Sequence, residues 1–271
     1  MPFDPLAYPL CFLQPVWLTH SEWMEHLPFG MALVEILRPR LVVELGTFYG
    51  VSYCGMCQAI ARLGLPARAL AVDTWEGDPQ SGQFATKVHD RLRAHHDPRY
   101  GHFSQLFRGT FDEALPTVAD GSIDLLHIDG YHTYEAASHD YATWLPKMSS
   151  RGVILFHDIA VRRATFGVWR LWHEIQRRHP TVAFYHQHGL GLAAVGSDCP
   201  AALSDLINCP EPRLAAVRRF YANLGRLVRC RYDRNQARRR TTTNRRSGRL
   251  VGTMHDLFRQ LGRLVTRPRA A

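Results

Sequence analysis

The stretch Leu41-Val-Val-Glu-Leu-Gly-Thr-Phe-Tyr-Gly50 decides the fold. Its first five residues are mostly apolar, and they run directly into a segment bounded by Gly46 and Gly50. A short apolar run predicts a buried strand, and the two glycines predict a tight turn after it. Residues 51–64 then follow a helical pattern. A strand that passes through a tight turn into a helix predicts the first unit of an α/β fold.

The same alternation continues along the chain. Further strands are predicted at 69–73, 102–107, 122–128, 153–156, 182–186 and 191–195, with further helices at 20–38, 134–145 and about 166–178. Alternating strands and helices imply βαβ units and a mostly parallel sheet. The last two strands are joined by too few residues for a parallel crossover, so they must form an antiparallel hairpin. The sequence therefore predicts a doubly wound α/β sheet that ends in an antiparallel strand.

Positive charge is concentrated in the last part of the chain. Residues 213–271 contain 17 arginines, no lysine and two acids, which gives a net charge of +15. The whole chain of 271 residues carries +9, so residues 1–212 carry −6. A basic tail on an acidic body argues against treating the body as a nucleic-acid-binding domain because of its overall basicity.

The sequence shows no sign of export or of a membrane span. No run approaches the roughly 18–20 apolar residues that cross a bilayer. The N-terminus lacks a basic region ahead of its apolar residues, so no signal peptide is expected. Six cysteines in this length do not indicate a disulfide scaffold, and Cys54 and Cys57 fit buried small residues better than a redox or zinc pair. A cytoplasmic protein is expected, with peripheral attachment at the inner membrane face as an option.

Acidic residues end or follow four of the predicted strands. They are Glu44, Asp73, Asp129 and Asp158. Ligands of open α/β sheets bind at the carboxyl ends of the strands, so these side chains are candidates for one site. The loop Gly46–Gly50 brings helix N-terminal amides toward a ligand, and Asp73 can accept hydrogen bonds from ribose hydroxyls. The loop is not a GxGxxG motif, so it gives little support to a dinucleotide.

Four segments resemble class I S-adenosylmethionine-dependent methyltransferases, most closely the group typified by macrolide-sugar O-methyltransferases. They are Val43-Glu-Leu-Gly-Thr47, Ala71-Val-Asp-Thr-Trp-Glu-Gly-Asp78, Ile123-Asp-Leu-Leu-His-Ile-Asp-Gly-Tyr-His-Thr-Tyr-Glu135 and Arg151-Gly-Val-Ile-Leu-Phe-His-Asp158. The likeness covers about residues 21–196 and, more weakly, 213–230. It implies a seven-stranded sheet of order 3-2-1-4-5-7-6 with the last strand antiparallel.

The resemblance also implies a set of cofactor-binding residues for S-adenosylmethionine. They are Glu44, Gly46, Thr47, Gly50 and Ser52 around the loop, Asp73 at the ribose, and Thr110, Phe111 and Asp112 at the adenine. In metal-dependent relatives, the acids that hold a divalent cation match Asp129, His157 and Asp158. Relatives usually carry Asp where this chain has His157. Either His157 is a ligand that suits a transition metal better than Mg²⁺, or Asp129 and Asp158 form the metal site alone.

Methyl transfer to a hydroxyl also needs a group that removes the hydroxyl proton. His132, three residues after Asp129, is the predicted general base. It could instead be a third metal ligand or cap the following helix. His127, inside a strand, is expected to be a core histidine. His186 and His188 are expected to be exposed imidazoles of a turn rather than a two-histidine metal site.

The sequence divides into four parts. A helical lead-in occupies 1–38 and the methyltransferase domain 39–198, followed by a basic amphipathic helical extension at 199–232 and an arginine-rich tail at 233–271. The tail is predicted to be largely disordered, with a possible short helix at about 250–265. The extension is expected to pack on the body or on a second copy of the chain. An anionic membrane surface is an alternative for its arginines, and nucleic acid is the less favoured one.

The predicted function is O-methylation of a sugar or glycan hydroxyl, with S-adenosylmethionine as donor and a divalent metal, Mg²⁺ or a transition metal, as helper. "Sugar" rests on the resemblance alone, because a fold does not determine a substrate. One alternative is a nucleic-acid methyltransferase that uses the arginine-rich tail. The other is a non-catalytic, membrane-tethered partner of a glycan assembly complex.

Overall fold

The computed structural model describes residues 3–78, 82–83 and 87–238. The chain divides into two compact units, Met1–Val228 and Arg229–Ala271. In the second unit residues 229–238 are helical, so helical structure extends beyond the predicted boundary at 232. Arginine, glutamine and alanine in this stretch are good helix formers, which accounts for the difference. The predicted short helix at about 250–265 lies outside the described residues.

Seven strands form the main sheet of the first unit. They are β1 (Leu41–Leu45), β2 (Arg68–Asp73), β3 (Ser104–Arg108), β4 (Ile123–Ile128), β5 (Met148–His157), β6 (Thr181–Phe184) and β7 (Leu190–Ala194). Their order is β3-β2-β1-β4-β5-β7-β6. Strands β1 to β5 pair in parallel, and β7 is antiparallel to both β5 and β6. The predicted fold class and strand order are confirmed.

Among the described residues up to 207, seven α-helices precede, connect or follow the strands. They are α1 (Leu27–Leu37), α2 (Val51–Leu63), α3 (Lys87–Tyr100), α4 (Phe111–Ala114), α5 (Tyr134–Trp144), α6 (Val168–Arg178) and α7 (Ala201–Ile207). The predicted helix at 20–38 is split into a 3₁₀ turn, Glu22–His26, and α1, because Pro28 fits only the first turn of a helix. Helix α3 was not predicted, and a short hairpin, Gly77–Asp78 with Gly82–Gln83, precedes it.

The hydrophobic core surrounds the central strands. Strand β4 is buried at all six positions, and β1 is buried at four of its five. A parallel sheet with helices on both faces requires such continuously buried strands. Each fully buried Val, Leu or Ile contributes about 1.5–3 kcal/mol. The burial of β1 and β4 therefore fixes the positions at which these two strands end.

Asp124, the second residue of β4, accepts hydrogen bonds at both of its carboxylate oxygens. Asp124 accepts hydrogen bonds from the backbone nitrogen of Arg40 at 2.8 Å, from the Arg40 guanidinium at 3.0 Å twice, and from Ser149 Oγ at 2.5 Å. Burial alone would raise the pKa of Asp124, but the hydrogen bonds from Arg40 and Ser149 outweigh burial and lower it to about 2. This carboxylate ties the start of β1 to β4 and β5.

Residues 213–228 form a helix that packs on the rest of the first unit. Tyr221 is fully buried, with its ring centroid 5.2 Å from that of Phe29 and 5.8 Å from that of Phe184. A Cβ on Gly225 would come within 2.1 Å of the carbonyl oxygen of Glu25, so only glycine permits this approach. Among the described residues, no helix combines the length and apolar character needed to cross a bilayer.

Candidate active site

One cavity of about 640 Å³ opens at the carboxyl ends of β1, β2, β4 and β5. It is lined at one end by the loop after β1, by Asp73, and by Thr110 and Phe111. At the other end lie Asp129, His132, His157, Asp158 and His188. We refer to these as the loop end and the cluster end. The acids that follow strands β2, β4 and β5 therefore meet in one space, as predicted for an open α/β sheet.

Glycine permits the close approach of two segments at the loop end. Gly46 has φ +86°, and a Cβ there would lie 2.1 Å from the carbonyl oxygen of Asp129. Gly50 has φ +72° and precedes the first turn of α2 without offering a side-chain cap. The first-turn amides of α2 are therefore left for a ligand, and Gly50, Val51 and Ser52 line the cavity.

Thr47 carries a polar atom that lacks a partner within the described part of the chain. Its side chain is 3% exposed, it lines the cavity, and Oγ1 forms no hydrogen bond there. A buried hydroxyl without a partner costs about 1–3 kcal/mol. Such a group beside an open cavity indicates that a ligand supplies the missing hydrogen bond.

Asp73 is held in place by backbone donors from two turns. Its Oδ2 accepts from the nitrogen of Phe48 at 2.8 Å, and its Oδ1 accepts from the nitrogen of Trp75 at 2.7 Å. Phe48 and Trp75 both have left-handed backbone angles, with φ of +48° and +51°. Such strained positions persist only where the surroundings fix them. Asp73 also lines the cavity, and an ionised carboxylate has about four lone-pair sites in all.

The remaining predicted cofactor residues are placed differently from one another. Thr110 caps α4 in a reciprocal capping box with Glu113, and both Thr110 and Phe111 line the cavity. Asp112 faces away, with a carboxylate oxygen 3.0 Å from Nε2 of His139 on the surface. The structure therefore does not bring Asp112 to the cavity.

Glu44 lies in the core behind the cavity wall. It is fully buried, and its Oε2 lies 2.8 Å from Nδ1 of His127. The indole nitrogen of Trp23 donates to Nε2 of His127 at 3.0 Å, so the proton of a neutral His127 is on Nδ1 and is donated to Glu44. Burial raises the pKa of Glu44. His127 is thus the core histidine that was predicted, and Glu44 supports the site from beneath rather than lining it.

The cluster end contains a group of side chains with the spacing of a metal site. Ligand atoms of Asp129, His132 and Asp158 all lie within 4.8 Å of one another. Nε2 of His132 is 2.9 Å from Oδ2 of Asp158 and 3.6 Å from Oδ1 of Asp129. The His132 ring stacks on Phe166, with centroids 4.7 Å apart and planes 11° apart. Burial alone would lower the pKa of His132, but Asp129 and Asp158 outweigh burial and raise it to about 9.

His157 lies against the same two carboxylates from the buried side. Its Nδ1 is 3.2 Å from Oδ1 of Asp129 and 3.3 Å from Oδ2 of Asp158. Although burial opposes the charged form, these carboxylates raise the pKa of His157 to about 10. Conversely, His157 holds the pKa of Asp129 and Asp158 well below the usual range despite their burial. The group that meets the metal-site spacing therefore includes His132 in addition to the two predicted acids.

His188 is a site residue that the sequence analysis did not place. It was expected to be an exposed imidazole, but it lines the cavity, and its Nδ1 is 2.8 Å from Oδ1 of Asp158. Because β7 runs antiparallel to β5, the turn before β7 falls at the carboxyl edge of the sheet. The predicted antiparallel hairpin was therefore enough to place His188, which lies in its turn, at the edge of the sheet where the acids lie. His186, in the same turn, instead packs on His26 with ring centroids 4.3 Å apart.

The chain shares part of its sequence with known proteins. Residues 43–159 match a family model described as "Methyltransferase domain". The uncharacterized protein y4gI of Sinorhizobium fredii is 46% identical over 202 residues, which cover 74% of this chain and 22% of that protein. The chain thus spans about a fifth of the length of this curated relative.

Solved structures share the fold at low sequence identity. An S-adenosylhomocysteine-bound methyltransferase of Podospora anserina is 15% identical with a TM-score of 0.50, and the match covers 72% of this chain and 88% of that one. A candidate caffeoyl-CoA O-methyltransferase from Staphylococcus aureus is 12% identical with a TM-score of 0.50, covering 66% and 85%. These similarities establish the arrangement of the sheet and helices.

Proposed function

We propose that this chain, which contains a methyltransferase domain of the class I fold, transfers a methyl group from S-adenosylmethionine to a hydroxyl oxygen. The observation that carries the proposal is the single cavity with two chemically different ends. The loop end offers helix amides, the unpartnered Thr47 hydroxyl and the fixed Asp73 carboxylate. The cluster end offers carboxylates and imidazoles within a few ångströms of one another.

The loop end fits a nucleoside with an amino-acid tail. In this proposal Asp73 accepts hydrogen bonds from the ribose hydroxyls, and Thr110 and Phe111 border the base; all three line the cavity. Thr47 Oγ1 and the first-turn amides of α2 are donors for a carboxylate group. The Podospora anserina neighbour is described as bound to S-adenosylhomocysteine, the product of such a donor, and this description supports the same ligand here.

The cluster end fits a divalent metal that would assist the reaction. Asp129, His132 and Asp158 would hold the ion, and the imidazole favours a transition metal over Mg²⁺. When bound, such an ion would lower the pKa of the acceptor hydroxyl and orient it. His157 contacts Asp129 and His188 contacts Asp158 without belonging to this group of three, and contacts of this kind orient metal ligands.

The transfer itself needs alignment more than it needs a reactive side chain. The hydroxyl oxygen attacks the methyl carbon while the carbon–sulfur bond breaks, which gives the methyl ether and neutral S-adenosylhomocysteine. The hydroxyl proton must leave, and His132 can receive it only as a neutral imidazole that does not also hold the ion; otherwise the proton leaves to water. Holding the two reactants in line supplies a large part of the rate.

A sugar or glycan remains the proposed acceptor class. The N-terminal segment at 20–23 and Tyr131 line the cavity with hydroxyl, imidazole, carboxylate and aromatic groups. These groups suit a ligand that has many hydroxyls. The acceptor assignment still depends on the resemblance to macrolide-sugar O-methyltransferases, and these groups only agree with it.

Calorimetric titration of the purified protein with S-adenosylmethionine and S-adenosylhomocysteine tests the donor. We expect saturable heat from both, and a rise in melting temperature. No heat and no stabilisation from either ligand would refute the proposed function.

A thermal-shift series with Mn²⁺, Co²⁺ and Mg²⁺ tests the metal, and we expect a larger rise in melting temperature from Mn²⁺ or Co²⁺ than from Mg²⁺. The same shifts in Asp129→Asn would refute the assigned ligands.

A further inference from the structure

A short positively charged segment lies next to the cluster end of an otherwise acidic body. Residues 159–179, which connect β5 to α6 and include that helix, contain five arginines and one glutamate. Residues 1–212 as a whole carry −6. Arg162, Arg163 and Arg170 in this segment are exposed, and no carboxylate in the described part of the chain forms an ion pair with any of them.

Each of these three guanidinium groups rests on an aromatic ring. Arg163 lies 5.8 Å from the centroid of Phe166, Arg162 lies 4.6 Å from that of Trp169, and Arg170 lies 4.4 Å from that of Tyr134. A guanidinium on an aromatic face is attracted by the ring, which limits its motion. Nη1 of Arg162 also donates to the carbonyl oxygen of Ile159 at 2.9 Å, so its other N–H groups are the ones that could meet an anion. We call Arg162, Arg163 and Arg170 the arginine rim.

The rim is joined to the cluster end by short contacts. Phe166 lines the cavity and stacks on His132, so Arg163 is separated from the cluster by one ring. The nitrogen of Gly167 donates to the carbonyl oxygen of His132 at 2.7 Å, and a Cβ on Gly167 would lie 2.3 Å from the nitrogen of Tyr134. The segment is therefore fixed against residues 132–134. The indole nitrogen of Trp169 also donates to the carbonyl oxygen of Phe166, at 3.1 Å.

We propose that the arginine rim binds a phosphate or diphosphate group of the acceptor whose hydroxyl is methylated. The proposal rests on the proposed function and specifies its acceptor. A neutral acceptor gains nothing from three arginines, whereas a phosphate group on the acceptor would be attracted by them. Guanidinium groups match the oxygens of a phosphate in a two-pronged geometry, which makes arginine the preferred residue for this role.

The test uses the full chain and simple anions as probes. Inorganic pyrophosphate is titrated calorimetrically into the native protein, the double variant Arg162→Gln/Arg163→Gln, and Arg177→Gln. Arg177 is an exposed arginine in the last turn of the same helix, so its variant controls for general loss of charge. We expect the double variant to bind pyrophosphate at least about tenfold more weakly and Arg177→Gln to match the native protein. Equal binding by all three proteins, or none by the native protein, would overturn the proposal.

Two further probes distinguish the source of the phosphate. Uridine diphosphate represents a free nucleotide-linked sugar, and phosphatidylcholine vesicles containing phosphatidic acid represent a lipid-linked one. If a probe binds the native protein and Arg177→Gln but no longer binds the double variant, the arginine rim is the binding site for that probe. Binding of both probes that is unaffected in the double variant would overturn the proposal, since the basic tail would then account for it.

A titration of each variant with S-adenosylhomocysteine separates this proposal from the proposed function. We expect unchanged affinity, because no rim residue lines the loop end. If the native protein fails to bind S-adenosylhomocysteine but binds pyrophosphate through the rim, the proposed function fails while the anion subsite stands. If it binds S-adenosylhomocysteine but not pyrophosphate, only the subsite fails.

Discussion

Two aspartates bracket strand β4, and they are used in opposite ways. Asp124, at its amino edge, has both oxygens bonded by Arg40 and Ser149 and does not line the cavity described above. Asp129, just past its carboxyl end, shares Oδ1 with His157 and His132 and faces open space. The residue type is the same and both are largely buried. At one end, a permanently charged arginine and a serine bond the carboxylate and stabilise the fold. At the other, titratable histidines and an open cavity leave the carboxylate able to take part in binding.

Replacing Asp124 should give the largest effect on stability. In Asp124→Asn the amide nitrogen would face a donor of Arg40 or Ser149, and a charge-assisted network in the interior would be lost. We expect the free energy of unfolding to fall by about 3 kcal/mol, measured by urea denaturation. S-adenosylhomocysteine affinity of the folded protein should be unchanged. An unfolding free energy equal to that of the native protein would show that the contrast between the two edges is wrong.

The free energy of unfolding should depend on pH through the titration of Asp124. The folded pKa of Asp124, about 2, lies below the value of about 3.9 for a free aspartate. Its stabilisation is therefore fully present above pH ~4 and is lost as the pH falls through ~2, and two pKa units amount to about 2.6 kcal/mol at most. The difference in unfolding free energy between native protein and Asp124→Asn should shrink over this window. A difference that stays constant from pH 5 to 2 would contradict the assignment.

Thr47, in the cavity wall, is a second buried polar residue to compare with Asp124. It is as buried as Asp124, but its hydroxyl has no partner among the described residues. Thr47→Val keeps the shape and removes the hydroxyl, so the ligand-free protein should become more stable by up to about 1 kcal/mol. S-adenosylhomocysteine should bind about tenfold more weakly, as one hydrogen bond is worth roughly 1.4 kcal/mol. Thr47→Ser is the matched control and should bind normally. Unchanged affinity in Thr47→Val would remove this hydroxyl from the site.

Asp129→Asn should cost less stability than Asp124→Asn. His157 keeps Asp158 at 3.3 Å, and His157 and His132 can each release a proton when one carboxylate loses its charge, whereas the Arg40 guanidinium cannot. We therefore expect a smaller loss in the free energy of unfolding than in Asp124→Asn, measured by the same urea denaturation. A loss as large as that of Asp124→Asn would mean that the two ends of β4 are equivalent.

The sequence was sufficient to predict the strands of the main sheet, because most of them are buried along nearly their whole length and therefore appear as short apolar runs. The strand order came from the resemblance, since periodicity contains no information on which strands are neighbours. Helix α3 was missed because Leu92, His96 and Tyr100 are its only buried residues among those described, and two of the three are polar or amphipathic. Its pattern therefore has little apolar periodicity.

The candidate site was predictable where a side chain directly follows a strand. Asp73, Asp129 and Asp158 reach the cavity because strand ends meet at one edge. Glu44 does not, because it is the fourth residue of β1 and points into the core toward His127. His188 could be found only by following the antiparallel direction of β7 to its turn. Side-chain direction, rather than residue type, accounts for these differences.

The central claim is that S-adenosylmethionine binds at the loop end of the cavity and that the cluster end contributes nothing to its affinity. Titrating S-adenosylhomocysteine into the native protein, Asp73→Asn and Asp129→Asn under one condition tests it most directly. We predict native affinity in Asp129→Asn and a loss of at least about tenfold in Asp73→Asn, because under the proposed function that carboxylate accepts hydrogen bonds from the ribose, and it also accepts one from the nitrogen of Phe48 in the loop. Native affinity in Asp73→Asn together with lost binding in Asp129→Asn would contradict the account.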